Sequence, residues 1–312
     1  MSTLRKQLIA AAEPFDRIDD PAFLEKFDRF QHARLVLLML SEFYTVRAAI
    51  TQHLIQHHGF KIIAAEADWP DAHAVHQYIR QENPSATDTV NAAEALDAFQ
   101  RFPTWMWRNQ EVKAFIEWLH QYNAHRSDES EKVGFYGLDL YSLGASIRAV
   151  IDYLDTVNPD AAKDARKRYG CLDPWIERPD QYGLVALKLG TAPCAEGVNR
   201  VLQDLLKRRL NYAKTSDDTL LDAEMNAEIV RDAEAYYRAM YHGSDQSWNL
   251  RDLHMFKILS RLLATKGSKA IVWAHNSHVG DARYTSMGTV RNELNIGQLC
   301  REEFGKDVVI IG

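Results

Sequence analysis

Leu35-Val36-Leu37-Leu38-Met39-Leu40 is the stretch on which the fold turns. It is short and wholly apolar, so neither of its faces suits water. That is the pattern of a strand buried on both sides, as in a parallel sheet. A helix is expected at once: Ser41 stands where an N-cap belongs, and Phe43, Val46, Ile50 and Leu54 form an apolar stripe that Gly59 stops. Phe60-Lys61-Ile62-Ile63-Ala64-Ala65 then reads as a second strand, running into Glu66-Ala67-Asp68-Trp69-Pro70. Strand, helix and strand in this succession make a βαβ unit with parallel strands.

Outward from this unit, a helix is expected over Asp71 to Gln81 and an aromatic-rich helical stretch over Ala92 to Tyr122. Lys132 to Asp139 reads as a third strand ending in a carboxylate. Residues 140–265 read as almost entirely helical, with candidates at Leu143 to Leu154, Pro159 to Tyr169, Ala195 to Ala213, Leu220 to Tyr241 and Trp248 to Ala264. Lys269 to Ala274 is a fourth strand and Asp307 to Ile311 a fifth. The fold class is therefore α/β: a three-layer α/β/α core with a mostly parallel sheet and a large helical insertion. Its parts are 1–139, the first part of the core; 140–265, the insertion; and 266–312, the return to the core. A core strand is an abrupt place for a chain to stop, so the core is expected to continue past Gly312.

At 312 residues a core can be buried without disulfides or a structural metal. The net charge of -6, with no basic block, argues against a nucleic-acid partner. Cys171, Cys194 and Cys300 are far apart, odd in number and form no CxxC pair, so reduced, mostly buried thiols are expected. Met1 to Phe23 is too charged for a signal peptide, and no apolar run approaches the roughly 18 residues that span a bilayer. Cytoplasmic residence, with no membrane partner, follows as the expectation.

Three strands end in groups suited to chemistry. Glu66 and Asp68 follow the second, Asp139 the third, and His275 and His278 the fourth. Open parallel sheets bind ligands beyond the carboxyl ends of their strands, so these distant residues should converge. In His275-x-x-His278, imidazole suits proton transfer near neutrality; the structural alternative is capping and packing of the turn. A metal site ranks lower, because no His-Glu-x-x-His is present and spacing places no third ligand. No cofactor or metal is expected. Glu66 closes an apolar strand and needs a partner or a task. Arg47 is a candidate partner, or else a solvated cation on its helix. Asp139 could instead cap the helix near Tyr141. Trp248-Asn249-Leu250-Arg251-Asp252 reads as a helix cap with a local ion pair, and Tyr236, Tyr237 and Tyr241 as core. His53, His57 and His58 suit the dipole at a helix end and carry no assigned function. There is no GxSxG elbow, no GxxxxGK[ST] loop and no GxGxxG after a strand. Hydrolysis would thus use water activated by histidine or carboxylate.

The chain resembles the erythromycin esterase family and its bacterial relatives. The matching stretches are Ser41-Glu42-Phe43-Tyr44 through Arg47, Leu54-Ile55 to Gly59-Phe60, Glu66-Ala67-Asp68-Trp69-Pro70, Gly134-Phe135-Tyr136-Gly137-Leu138-Asp139, Ser247-Trp248-Asn249-Leu250-Arg251-Asp252, Trp273-Ala274-His275-Asn276-Ser277-His278 and Leu294-Asn295-Ile296-Gly297-Gln298. The resemblance implies a deep cleft and a hydrolase of carboxylic esters, acting on a macrolide lactone such as that of erythromycin and so serving antibiotic resistance. It implies catalysis by histidine and glutamate without an obligatory metal. Glu66, His275 and Arg47 match catalytic positions, and His278 matches a second histidine beside them; His278, Asp68 and Asp139 are expected to bind substrate. Two departures stand out. The family places a Gly-Glu-Ala-Ser-His-Gly-Thr-like loop, whose histidine is its water-activating base, between the first strand and the Ser-Glu-Phe-Tyr helix. Here Leu38-Met39-Leu40 runs directly into Ser41. The family also continues past the strand at Val308 to Gly312. A non-catalytic relative that keeps a ligand cleft, and a metal-dependent hydrolase using His275 and His278 with Glu66, are the rival expectations.

Overall fold

Leu35–Leu38 (β1), Phe60–Asp68 (β2), Gly134–Asp139 (β3), Lys269–Trp273 (β4) and Val308–Ile311 (β5) form one parallel sheet in the order β3-β2-β4-β1-β5. The computed structural model describes residues 20–38, 44–81, 91–190, 194–212 and 217–311. β1 is apolar throughout because both of its faces are covered. Leu35 and Leu37 enter one core cluster, while Val36 and Leu38 enter the other, as the alternation of side chains along a strand requires.

Among the described residues the second of these faces is covered by the longer helices Tyr44–His58 (α1), Trp69–Arg80 (α2) and Gln110–Ala124 (α3), with the short helices Pro21–Glu25 and Ala92–Leu96. Val46, Ile50 and Leu54 are the buried stripe of α1, and Gly59 follows it with φ +70°. Ser41 and Phe43, with the Met39-Leu40 junction, lie outside the described residues.

The stretch from Ala92 to Tyr122 is not one helix. A short helix, Ala92–Leu96, is followed by a loop through Pro103, and α3 begins only at Gln110. Proline lacks the amide and has the fixed φ that oppose helix continuation. Asn109 then starts the new helix, its Oδ1 accepting from Val112 N at 2.8 Å. The break matters because it lays residues 97–109 across the carboxyl edge of the sheet.

The other face carries the helices Leu143–Val157 (α4), Pro159–Tyr169 (α5), Pro179–Leu189 (α6), Ala195–Tyr212 (α7), Asp217–Ala239 (α8), Ser244–Lys266 (α9) and Ile296–Phe304 (α10). Cys171, after α5, and Cys194, before α7, are joined as a disulfide rather than standing as thiols. Packing of α5 against α7 brings their Cα atoms to 5.8 Å across α6, a proximity that spacing in sequence does not reveal. Cys300 is a buried thiol. Among the described residues no helix is long and apolar enough to cross a membrane.

Candidate functional site

At the carboxyl edge, β2 and β3 finish side by side with Asp68 opposite Asp139. The β2 register slips between Ala65 and Asp68, and Gly137 permits it: a Cβ there would stand 2.6 Å from the carbonyl oxygens of Ala67 and Asp68. Like charges directly opposite repel, so this edge needs cations. Arg251, in the second turn of α9, supplies the main one. Its Nε donates to Asp139 Oδ1 at 2.9 Å, and its Nη2 to Asp139 Oδ2 at 2.6 Å and to Glu66 Oε1 at 2.8 Å. Arg101, from the loop before α3, donates from Nε to Asp68 Oδ2 at 3.0 Å. Asp68 Oδ1 also accepts Tyr141 N at 2.9 Å, and the Tyr141 ring lies against both guanidinium groups.

His278 joins this network from the turn after β4. Its Nδ1 is 2.9 Å from Asp252 Oδ1, its Nε2 is 3.3 Å from Glu66 Oε1, and Trp248 stacks on the ring at 4.6 Å. Burial opposes the imidazolium, but Asp252 and Glu66 outweigh it and push the pKa up to about 9. Arg251 Nη1, 3.0 Å from Nε2, favours the neutral ring. Two carboxylates and a stacked indole face (favourable to a cation) against one shared guanidinium decide for the imidazolium at neutral pH. For Glu66, burial alone would raise the pKa; His278, Arg251 and the His275 N–H hold the carboxyl well below the usual range. Burial likewise opposes ionisation of Asp139, which Arg251 keeps charged.

Asp68 and Asp71 behave oppositely. Burial and the Asp139 charge push Asp68 up to about 6, and burial and the Asp68 charge push Asp71 up to about 7. An acid raised on folding favours the fold while protonated, so stability should fall as pH rises from the ordinary value of 3.8 through about 7. Asp71→Asn is therefore expected to raise stability at pH 8, by on the order of 2 kcal/mol, and by less than about half as much at pH 5. Urea denaturation at the two pH values checks this; an equal effect at both would refute it.

His275 is exposed and begins the short helix Asn276–Val279. Its backbone N donates to Glu66 Oε2 at 2.8 Å; its Nδ1 is 2.8 Å from Ser277 Oγ and accepts Ser277 N at 3.2 Å. Arg47 is buried on the first turn of α1. Its Nη2 reaches Ala274 O at 3.3 Å, its Nε has no partner among the described residues, and the Tyr44 and Trp273 rings flank it. Burial lowers its pKa to about 10, which leaves it charged at neutral pH.

Two pockets share Glu66, Met106 and Trp107. One, of about 230 Å³, is lined also by Tyr44, Arg47, Trp105, Trp273 and His275. The other, of about 200 Å³, holds Asp68, Asp71, Arg101, Tyr141 and Arg251. Thus Glu66, Asp68, Asp139 and His278 form one network. His275 touches it through its backbone, and Arg47 stands across Glu66 from it. Asp139 and His278 line neither pocket and act from behind. Sequence reasoning passed over Arg251, Asp252, Arg101 and Asp71. Trp248, Arg251 and Asp252 do share a helix face at i, i+3 and i+4, a signal that could have marked the first two. Tyr237 is buried as expected of core, and Tyr236 bonds Tyr141 through the hydroxyls at 3.2 Å.

The turn carrying His278 is held from outside by α10. A Cβ on Gly297 would lie 2.2 Å from Val279 O and 2.5 Å from Gly280 O. Gly297→Ala is expected to cost about 1–3 kcal/mol of stability, the usual range for overpacking. A thermal midpoint equal to the parent's would contradict this.

A three-layer α/β protein with an ionic cleft at the carboxyl edge of its sheet is thus defined. The chain belongs to the erythromycin esterase family, whose model matches residues 55–312. Among solved structures, it is similar to a succinoglycan biosynthesis protein (TM-score 0.79, 21% identity, covering 100% of this chain and 76% of that one). It is also similar to a Bacillus cereus protein (0.78, 19%, 98% and 73%). A mutant of the erythromycin esterase EreC in its open conformation is a third likeness (0.64, 19%, 92% and 71%). At these identities the likenesses speak for the fold.

Proposed function

We propose that the protein hydrolyses a carboxylic ester of a bulky apolar substrate, a macrolide lactone such as that of erythromycin. One observation carries the reading. Arg47, Glu66 and His275, from three separate segments, line a single pocket with aromatic walls. Phe102 and Trp105, 84% and 60% exposed, stand beside it as apolar surface that a large ligand would cover.

In this reading His275 is the base. Its contact with Ser277 Oγ serves either tautomer. As the cap, Nδ1 accepts Ser277 N and Nε2 carries the proton; the base is the other tautomer, in which Nδ1–H gives up that bond and donates to Oγ, leaving the Nε2 lone pair for water. Water oxygen bonds to the ester carbonyl carbon as its proton passes to Nε2. The C–O bond to the alkoxy group then breaks, and the proton moves on to the departing oxygen, giving acid and alcohol. Arg47 stabilises the oxyanion as it forms. Glu66 holds the His275 backbone and keeps His278 protonated. Asp68 faces the substrate, while Asp139 and His278 fix Arg251 and Glu66.

A ligand-binding relative without turnover is the second reading, favoured by the direct run of Leu38-Met39-Leu40 into Ser41. Incubation with erythromycin, followed by mass spectrometry, separates the two. Gain of one water supports the hydrolase, and binding without that gain supports the second reading. For the metal-dependent alternative, both His278 nitrogens already face partners.

A further inference from the structure

His53 and His58, near the end of α1, aim their Nε2 atoms at one oxygen of Asp28, at 2.7 and 2.6 Å. Asp28 lies in the turn Lys26–Phe30, ahead of β1. The cluster therefore sits at the amino edge of the sheet, opposite the cleft, and takes no part in the proposed reaction. We propose that Asp28, His53 and His58 form a structural site for a divalent transition metal of the zinc class, tying the segment before β1 to the end of α1.

Two imidazoles and a carboxylate are a donor set suited to zinc. They are held on packed elements: Phe23 and Phe27 anchor the turn in the same core cluster as Leu54 and Ile55 of α1. The three ligand atoms lie within 4.8 Å of one another. Tetrahedral zinc, with bonds of about 2.0–2.2 Å, sets its ligands roughly 3.3 Å apart. Opening the present contacts to that spacing needs a shift of less than about an ångström. Asp28 can supply it, since its side chain is 47% exposed while the two imidazoles are 9% and 10% exposed. The same exposure gives the ion a path in and a place for water as a fourth ligand. Binding takes each imidazole as the neutral ring with its lone pair on Nε2.

The test uses the full chain, stripped with EDTA, dialysed and titrated with zinc sulfate by calorimetry at pH 7.5. One equivalent is expected, with a rise in the thermal midpoint. H58Q keeps a hydrogen-bond donor for Asp28 but removes the ligand. It, and separately D28N, should weaken zinc by at least about tenfold, a loss seen when even the supporting partners of metal ligands are removed. H275A should bind zinc as the parent does. No uptake by the parent, unchanged affinity in H58Q and D28N, or loss of binding in H275A would each overturn the proposal. Circular dichroism verifies that the variants fold. If they do not, zinc-edge absorption of the loaded parent decides: two imidazole nitrogens support the site, whereas sulfur or all-oxygen ligation refutes it.

Discussion

R251M is expected to destabilise the protein by about 3–5 kcal/mol, the range for removing one partner of a buried ion pair. Arg251 is the group on which Asp139 and Glu66 both depend, and Asp139 is fully buried. A methionine leaves two carboxylates in a dry site, Glu66 with His278 beside it and Asp139 with Arg101 at 3.5 Å. R251K should recover only part of the loss, because a point charge cannot reproduce a fork that contacts both oxygens of Asp139 and one of Glu66. The pH dependence follows from the directions of the shifts. In the parent, Glu66 and Asp139 are held below their ordinary pKa values. Their contribution is present above those values and lost as pH falls. In the variant both would prefer to be protonated, so the gap between parent and variant should narrow toward acid pH. Urea denaturation at pH 5 and pH 7.5 measures this. A loss under about 1 kcal/mol at neutral pH, the size of an exposed pair, would show that the cluster is less dry than its burial implies.

Replacing His275 should leave the fold nearly intact and remove catalysis. The side chain is exposed, so H275A is expected to unfold near the parent's midpoint. Its kcat/KM for ester hydrolysis should fall about 10²–10⁴-fold, the usual worth of a positioned base. His275 is also the cap of the short helix after β4, so the alanine result alone does not separate the two roles. H275N does: asparagine is among the best N-caps but cannot take a proton from water at neutral pH. A variant that folds and stays inactive identifies the base; one that recovers activity identifies the cap and ends the assignment.

The fold was largely legible because burial on two faces leaves a plain mark. A run such as Leu35 to Leu38 has few homes other than a covered parallel strand. Once three such strands end in polar residues, parallel topology alone gathers Glu66, Asp68, Asp139 and His278. What was not legible depended on packing between distant segments. Arg251 reads locally as the partner of Asp252, yet its hydrogen bonds reach back to Glu66 and Asp139, and Asp252 is taken by His278. Asp71 reads as an ordinary acid in a helix's first turn; its altered proton affinity comes from burial and the neighbouring Asp68. The break in Ala92 to Tyr122 was signalled by Pro103 and Asn109, but aromatic periodicity masked it. The pairing of Cys171 with Cys194 is a product of how α5, α6 and α7 stack.

Because Arg251 belongs to α9, the helices between β3 and β4 cannot be treated as a detachable module. Trading them for those of another family member would also trade the counter-ion on which two strand ends rely. A chimaera assembled at the apparent boundaries would bring Glu66 and Asp139 together with His278 and the more distant Arg101 as their remaining cations, unless the donor helix placed an arginine at the same turn. For recombination or loop grafting on this scaffold, the exchangeable block therefore ends before Ser244, and α9 has to travel with the sheet.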